Sequence, residues 1–254
     1  AFYNKYLISS LRAIRGFSDC VLPPASGEIT IFDVGTGNGV FITSVVNELA
    51  KHHDLKKATL ILNDQSASML ELAKHQILNH ILLPTTIVTI HGRIQDLTVN
   101  ELTILDQQGP IWFINGAASM HHMPRETKIH MLRKLLNYCD HILVSDFHAN
   151  NDLPDEDTPE FVYSVTHHNY SYYIQDVLNC DASPDEKKAC VEKFLLAEAI
   201  TMLKNSRATR VDYHATVEQW EDLIKEAGFA VRKNTITVSD ENRPRSFTMH
   251  VQKK

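Results

Sequence analysis

Glu28-Ile-Thr-Ile-Phe-Asp-Val34, Gly35-Thr-Gly-Asn-Gly39 and the run VFITSVVNELAKHH from Val40 to His53 are the stretch on which the fold turns. The first part is a short β-branched run, the signature of a strand. The last part repeats Phe41, Val45 and Leu49 at i, i+4 and i+8, one face of a helix. Strand, glycine turn and helix form the building unit of open α/β sheets, whose ligands bind beyond the carboxyl ends of the strands. Gly35, Gly37 and Gly39 remove Cβ atoms where a ligand must lie against the main chain. A dinucleotide fold needs G-x-G-x-x-G, whose last glycine falls here on Val40, and a phosphate-binding Walker loop needs a following Gly-Lys-Ser/Thr that is absent.

Downstream the unit repeats. ATLILND (58–64) reads as a buried strand, and the segment from Ser68 to Leu83 as a helix opened by the capping box Ser68-x-x-Glu71. TTIVTIHG (85–92) is a third strand and PIWFING (110–116) a fourth. Pro124 at a first helical position introduces a helix carrying Ile129, Leu132 and Leu136, and HILVSDF (141–147) is a fifth strand. Strands alternating with amphipathic helices imply a doubly wound, mostly parallel sheet with helices on both faces. Alternation stops after Phe147. Two helix-like stretches, about 159–179 and 186–205, flank the acidic break Asp181-Ala-Ser-Pro-Asp-Glu186. Order returns with the cap Thr216-x-x-Gln219, the helix VEQWEDLIKEA, a stop at Gly228 and two closing strands, FAVRKNTITV and SFTMHVQK, which bring the sheet to seven. The expected organisation is a helical leader over 1–27, an α/β core over 28–147 and 211–254, and a helical lid inserted over 148–210.

Composition narrows the function. The chain has 254 residues, 43% hydrophobic and 22% charged, which suits one α/β domain with a large insertion. Its net charge is −6 with Lys and Arg scattered, so it lacks the basic stripe that nucleic acid rewards, and no nucleic-acid partner is expected. No run approaches the roughly 18–20 apolar residues of a membrane helix, nor does a basic segment lead into a signal-type apolar run, so the expectation is a soluble, cytoplasmic protein with no membrane partner. The four cysteines show no CxxC and no zinc-finger spacing, and are read as reduced thiols.

A second acid, Asp64, ends the next strand 27 residues beyond Gly37. It is placed to accept hydrogen bonds from both hydroxyls of a ribose, which suits a nucleoside ligand without a pyrophosphate. With FDVGTGNG, LILNDQSASMLELA, IHGRIQDL, FINGAASMHHMPRE and WEDLIKEAGF in order, the chain resembles the class I S-adenosylmethionine-dependent methyltransferases over about 28–147 and 212–254. The resemblance implies S-adenosylmethionine as cofactor. It implies that Asp33 and the 35–39 loop, with Gly35, Thr36 and Gly37, hold the methionine end and that Asp64 binds the ribose. Gln65 and Met69 would flank the adenine, Arg93 and Ile94 would meet its edge, and Asn115 would sit beside the sulfonium. Arg93 departs from the pattern, since many relatives have Asp there, and leaves that contact to the backbone.

The acceptor side is read more coarsely. Enzymes of this fold that methylate amide or adenine nitrogens usually carry Asn/Asp-Pro-Pro-aromatic after the fourth strand, whereas this chain has Asn115-Gly-Ala-Ala. The next turn, Ser119-Met-His-His-Met123, resembles the paired-histidine turn of small-molecule methyltransferases, and His121 or His122 is a candidate general base. The run FVYSVTHHNYSYYI concentrates five aromatic residues in thirteen positions, enough to cover an organic acceptor. On a helix, His167, Tyr170, Ile174 and Val177 share a face. His148, His167, Tyr170 and Tyr173 are the candidate acceptor contacts. A two-histidine, one-carboxylate metal site built from His148, His167-His168 and a carboxylate has no tight ligand spacing behind it, and no metal is expected. Phe2, Tyr3 and Tyr6 are candidates to close over the cofactor. The expected activity is methyl transfer to a small molecule, O-methylation first, with N- or C-methylation open and a homodimer as a candidate state. The alternatives are a non-methylating reaction on the same cofactor, such as a cyclisation, and an inactive cofactor-binding subunit.

Overall fold

Seven strands, β1 (Glu28–Val34), β2 (Lys57–Asp64), β3 (Thr85–His91), β4 (Phe113–Ala117), β5 (His141–Phe147), β6 (Phe229–Val238) and β7 (Pro244–Lys253), form one sheet in the order β3-β2-β1-β4-β5-β7-β6. The computed structural model describes residues 10–11, 13–135, 137–238 and 244–254. Phe2, Tyr3, Tyr6 and Leu136, which the sequence reading singles out, lie outside them. β3, β2, β1, β4 and β5 pair in parallel, while β7 runs antiparallel to both β5 and β6. The sheet is therefore mostly, not wholly, parallel.

The strand sequences read as apolar runs because both faces are covered. Ile31, Leu60, Phe113 and Leu143 face one layer, where Val45 and Leu49 of α1 (Val40–His52) and Leu70, Ala73 and Ile77 of α2 (Ala67–His80) pack with Ile14 and Phe17 of the leader. Their chain neighbours Phe32, Ile61, Ile114, Ile142 and Val144 face the other layer. There they meet Leu102 and Leu105 of α3 (Val99–Gln107), Leu132 of α4 (Arg125–Leu135) and Trp220. Phe17 stacks edge-on against Phe113 and His250 at 5.0 and 4.9 Å, which fixes the leader on the sheet.

Two local expectations shift. Helix α2 is capped by Ser66, whose hydroxyl accepts the Met69 N–H, and not by Ser68. The reason is Asp64: its carboxylate accepts the Ser66 N–H and turns the chain into the helix two residues early. Helix α3, unrecognised in the sequence, is opened by a full capping box of Thr98 and Glu101.

Between β5 and the last helix the chain runs through α5 (Pro159–Tyr163), a π-helical turn (Ser164–Tyr170), α6 (Ser171–Asn179), α7 (Pro184–Cys190), a second π turn (Val191–Leu195) and α8 (Leu196–Lys204). These helices share their own apolar cluster of Phe161, Val165, Tyr170, Leu195, Ala199 and Met202, with Ile174 and Val177 packed against it. His167 stacks on Tyr163 at 4.8 Å. The turn over 164–170 is π-helical, so its residues do not keep the i, i+3 register of an α-helix. Both ends of the excursion are tied to α4 through Lys128, which is buried and pairs with Asp152 at 2.9 Å while donating to the Tyr213 carbonyl. The cap of Thr216 with Gln219 opens α9 (Val217–Ala227), and Gly228 closes it in the left-handed region. Among the described residues no helix is long and apolar enough to cross a membrane.

Candidate functional site

The turns after β1, β2 and β3 are joined into one surface. Thr36 N–H donates to the Asn63 carbonyl at 2.9 Å, and the Asn63 side-chain amide donates to the carbonyls of Ile90 and Gly92. Gly92 N–H in turn donates to the Asp64 carbonyl. Asn63 escaped the sequence reading because its work is done through backbone contacts with another strand. Asp64 sits at the rim of this surface: one carboxylate oxygen accepts the Gly37 N–H at 2.9 Å and the other the Ser66 N–H at 2.8 Å. A carboxylate has about four acceptor positions, so each oxygen keeps one. Gly37 holds φ +54°, and a side chain at Gly35, φ +66°, would collide with Ser119.

Asp33 lies beneath the turn. Its carboxylate accepts the Thr36 hydroxyl at 2.5 Å and the Asn115 amide at 2.6 Å. Burial raises its pKa to about 6 against the pull of those two hydrogen bonds, with Asp64 pushing in the same direction as burial. The Asn115 Oδ1 and Ser119 Oγ atoms are buried and, among the described residues, have no hydrogen-bond partner.

Above these residues opens a cleft of about 480 Å³, within the usual range of small-molecule sites. Gly35, Gly37, Asp64, Gln65, Arg93 and Ile94 line it on the strand-end side, and Ser119, His122, Arg210 and Val211 also line it. Thr36, Asp33 and Asn115 support the turn from below. Met69, on α2, is partly exposed and is not on the cleft wall.

Of the two histidines in the turn after β4, His122 reaches the cleft and His121 does not. His122 Nδ1 lies 3.1 Å from the Val211 carbonyl and 3.2 Å from Asp212 Oδ1. Burial works against its protonated form, but Asp212 and the Val211 carbonyl outweigh it and raise the His122 pKa. His121 points inward. Its Nδ1 is 3.0 Å from Asp146 Oδ1, and the Nδ1 of His214 is 3.1 Å from the same oxygen. Burial, with His214 alongside, lowers the His121 pKa to about 4 and keeps it neutral. Burial would raise Asp146, but the fields of His121 and His214 and their hydrogen bonds prevail and hold it well below the ordinary carboxylate range.

The four candidate acceptor contacts divide. Tyr170 lines a second cavity of about 250 Å³, together with Phe194, Met202, Val211 and Asp212. Tyr173 packs edge-on against Phe147 and Tyr170 at 5.7 and 5.9 Å. His148 accepts the Val217 N–H, His167 stacks on Tyr163, and neither lines either cavity. Val211 borders both cavities, so the two spaces adjoin at the turn that the sequence reading passed over.

A seven-stranded sheet in this order, with β7 inserted antiparallel beside β5 and a nucleoside-sized cleft at the ends of β1, β2 and β3, decides the fold. It is the class I S-adenosylmethionine-dependent methyltransferase fold. Solved structures share this methyltransferase fold at low identity. SCL7 of Oryza sativa superposes with a TM-score of 0.72 at 14% identity, over 99% of this chain and 80% of that one. Magnesium protoporphyrin IX methyltransferase (ChlM) of Synechocystis PCC 6803, with bound S-adenosylhomocysteine, gives 0.53 at 12%, over 100% and 88%. The mitomycin 7-O-methyltransferase MmcR gives 0.52 at 12%, over 98% of this chain and 54% of that one. No protein-family model and no curated protein matches the sequence.

Proposed function

We propose that the chain is an S-adenosylmethionine-dependent methyltransferase that acts on a small molecule, with a hydroxyl oxygen as the preferred acceptor. The observation that carries the reading is the single cleft that gathers Gly35, Gly37, Asp64, Gln65, Arg93 and Ile94 beside His122. The residues suit the cofactor. Asp64 offers two spare acceptor positions for a ribose diol, and the orphaned Asn115 Oδ1 and Ser119 Oγ lie below the turn together with the Asp33 carboxylate, an acceptor-rich floor for a cationic amino acid and sulfonium. Arg93 and Ile94 present backbone and an apolar side chain to the adenine edge, and Gln65 covers it.

When bound, the cofactor supplies an electrophilic methyl group on a good leaving group, so the protein's part is alignment and water exclusion. His122 carries its proton on Nδ1, donated towards Val211 O and Asp212, which leaves Nε2 as a bare base at the cleft. It removes the acceptor's hydroxyl proton as the methyl group arrives. The second cavity, with Tyr170, Phe194 and Met202, accepts the acceptor's apolar body. The helices over 148–210 act as the lid, and the core comprises 28–147 and 211–254. MmcR, an O-methyltransferase by name, supports this choice of acceptor at the level of fold.

The test is to incubate the chain with methyl-labelled cofactor and a panel of phenols, hydroxyquinones and alcohols. Labelled product should appear with one S-adenosylhomocysteine per product molecule. Product formed without S-adenosylhomocysteine would assign a non-methylating reaction instead.

A further inference from the structure

The turn after β4 and the turn before α9 bring together a second constellation that methyl transfer does not require. His121, Asp212 and His214 each offer one donor atom, and the three atoms lie within 4.8 Å of one another. Among the described residues this is the one such group. One pair, His121 Nε2 and Asp212 Oδ1, is 3.9 Å apart.

The tautomers are fixed by what lies behind them. Both Nδ1 atoms meet Asp146 Oδ1, and an ionised carboxylate only accepts, so both rings carry their proton on Nδ1. Each therefore keeps a lone pair on Nε2. Among the described residues neither Nε2 makes a hydrogen bond. A histidine that donates Nδ1–H to a carboxylate while Nε2 stays bare is the arrangement of a metal-binding imidazole with its outer support in place. The carboxylate arm is supported too, since Asp212 faces His122 at 3.2 Å. The cluster also carries more negative charge than it balances: among the described residues no Lys or Arg pairs with Asp146 or Asp212, and Asp146 Oδ2 is buried with no partner.

We propose that His121, His214 and Asp212 bind one divalent first-row transition-metal ion, with Asp146 and His122 as the outer supports. Two imidazoles and one carboxylate select zinc, iron(II) or manganese(II) rather than magnesium or calcium, and leave coordination positions open. An ion about 2.1 Å from each donor needs the donors about 3–3.5 Å apart, a contraction of about an ångström from the present spacing. Asp212 also lines the second cavity, so the open positions face the place where an acceptor's oxygen would lie. The ion would bind and orient that oxygen beside His122. This last role rests on the methyltransferase reading, whereas the site itself does not.

The test is calorimetric titration of the full chain, stripped with chelator, by Zn²⁺ and separately by Mn²⁺, with S-adenosylhomocysteine titrated in parallel. One Zn²⁺ per chain is expected. His214→Ala and Asp212→Asn should each weaken it at least tenfold, and Asp146→Asn should weaken it about 10–100-fold through the outer shell, with S-adenosylhomocysteine affinity within twofold in the His214 variant. Should a variant fail to fold, Co²⁺ added to the unaltered chain reads the ligands directly: nitrogen and oxygen ligation is expected, and a sulfur charge-transfer band would move the metal to a cysteine and overturn the site. Absence of saturable one-to-one binding by both ions, or undiminished Zn²⁺ binding by folded His214→Ala, also overturns it. Metal binding without nucleoside binding would leave the site standing and remove the methyltransferase reading. Nucleoside binding without metal would do the reverse.

Discussion

The carboxylate of Asp64 accepts the backbone N–H of Gly37 at 2.9 Å, so the residue that ends β2 is bonded to the turn that follows β1. This bond aims one carboxylate at the cleft before any ligand arrives, and preorganisation of that kind lowers the ordering cost of binding. Asp64→Ala should weaken S-adenosylhomocysteine binding by about 1–3 kcal/mol, the worth of charged hydrogen bonds. Calorimetry checks it, and unchanged affinity would remove the ribose assignment.

Asp33 should give the fold an acid-side gain in stability. Its folded-state pKa of about 6 stands above the unfolded-chain value of 3.8, so the folded protein bears a cost wherever the group must ionise. That cost is present above about pH 6 and disappears as the pH falls towards 4, a difference of about 3 kcal/mol for a shift of this size. Thermal melts of Asp33→Asn against the parent chain should therefore favour the variant more at pH 7.5 than at pH 4.5. An equal difference at both values would contradict the burial account.

Lys128 and Asp152 are both buried, and their ion pair anchors the helical excursion to α4, with the Lys128 ammonium 5.3 Å from the centre of the Trp220 ring. Removing one member strands the other charge. Lys128→Met should cost about 3–5 kcal/mol in chemical denaturation. A loss below about 1 kcal/mol would mean that Arg207, which also reaches Asp152, compensates.

The two histidines after β4 should part company on mutation. His122→Ala should lower turnover about a hundredfold at unchanged cofactor affinity and nearly unchanged melting temperature, as expected for a base at the cleft wall. His121→Ala should lower the melting temperature, because its buried ring is bonded to Asp146 and its carbonyl accepts the Tyr213 N–H. Equal effects of the two variants would sink the division of roles.

Most of the scaffold was legible because local signals agreed with the global fold. The β-branched run before Gly35, the alternation through Phe147 and the cap at Thr216 each point to the element the structure contains. Helix α3 was legible too, through Thr98-x-x-Glu101 followed by Leu102 and Leu105, a signal the reading passed over. That Gly35, Gly37, Asp64, Gln65, Arg93 and Ile94 line one cleft could be inferred since they follow strand ends in order. The histidine cluster could not. His214 meets Asp146 across 68 residues of chain, and no spacing rule joins them: only the return of the chain after the excursion does. His167 lies in a π turn, whose register is not the α-helical spacing from which its face was read, and it lines neither cavity.

The measurement that bears most directly on the central claim is calorimetric titration of the purified chain with S-adenosylmethionine, S-adenosylhomocysteine and NAD. Micromolar, one-to-one binding of the two sulfur nucleosides and none of NAD is the result this account predicts. No binding of either sulfur nucleoside, or preference for NAD, would contradict it.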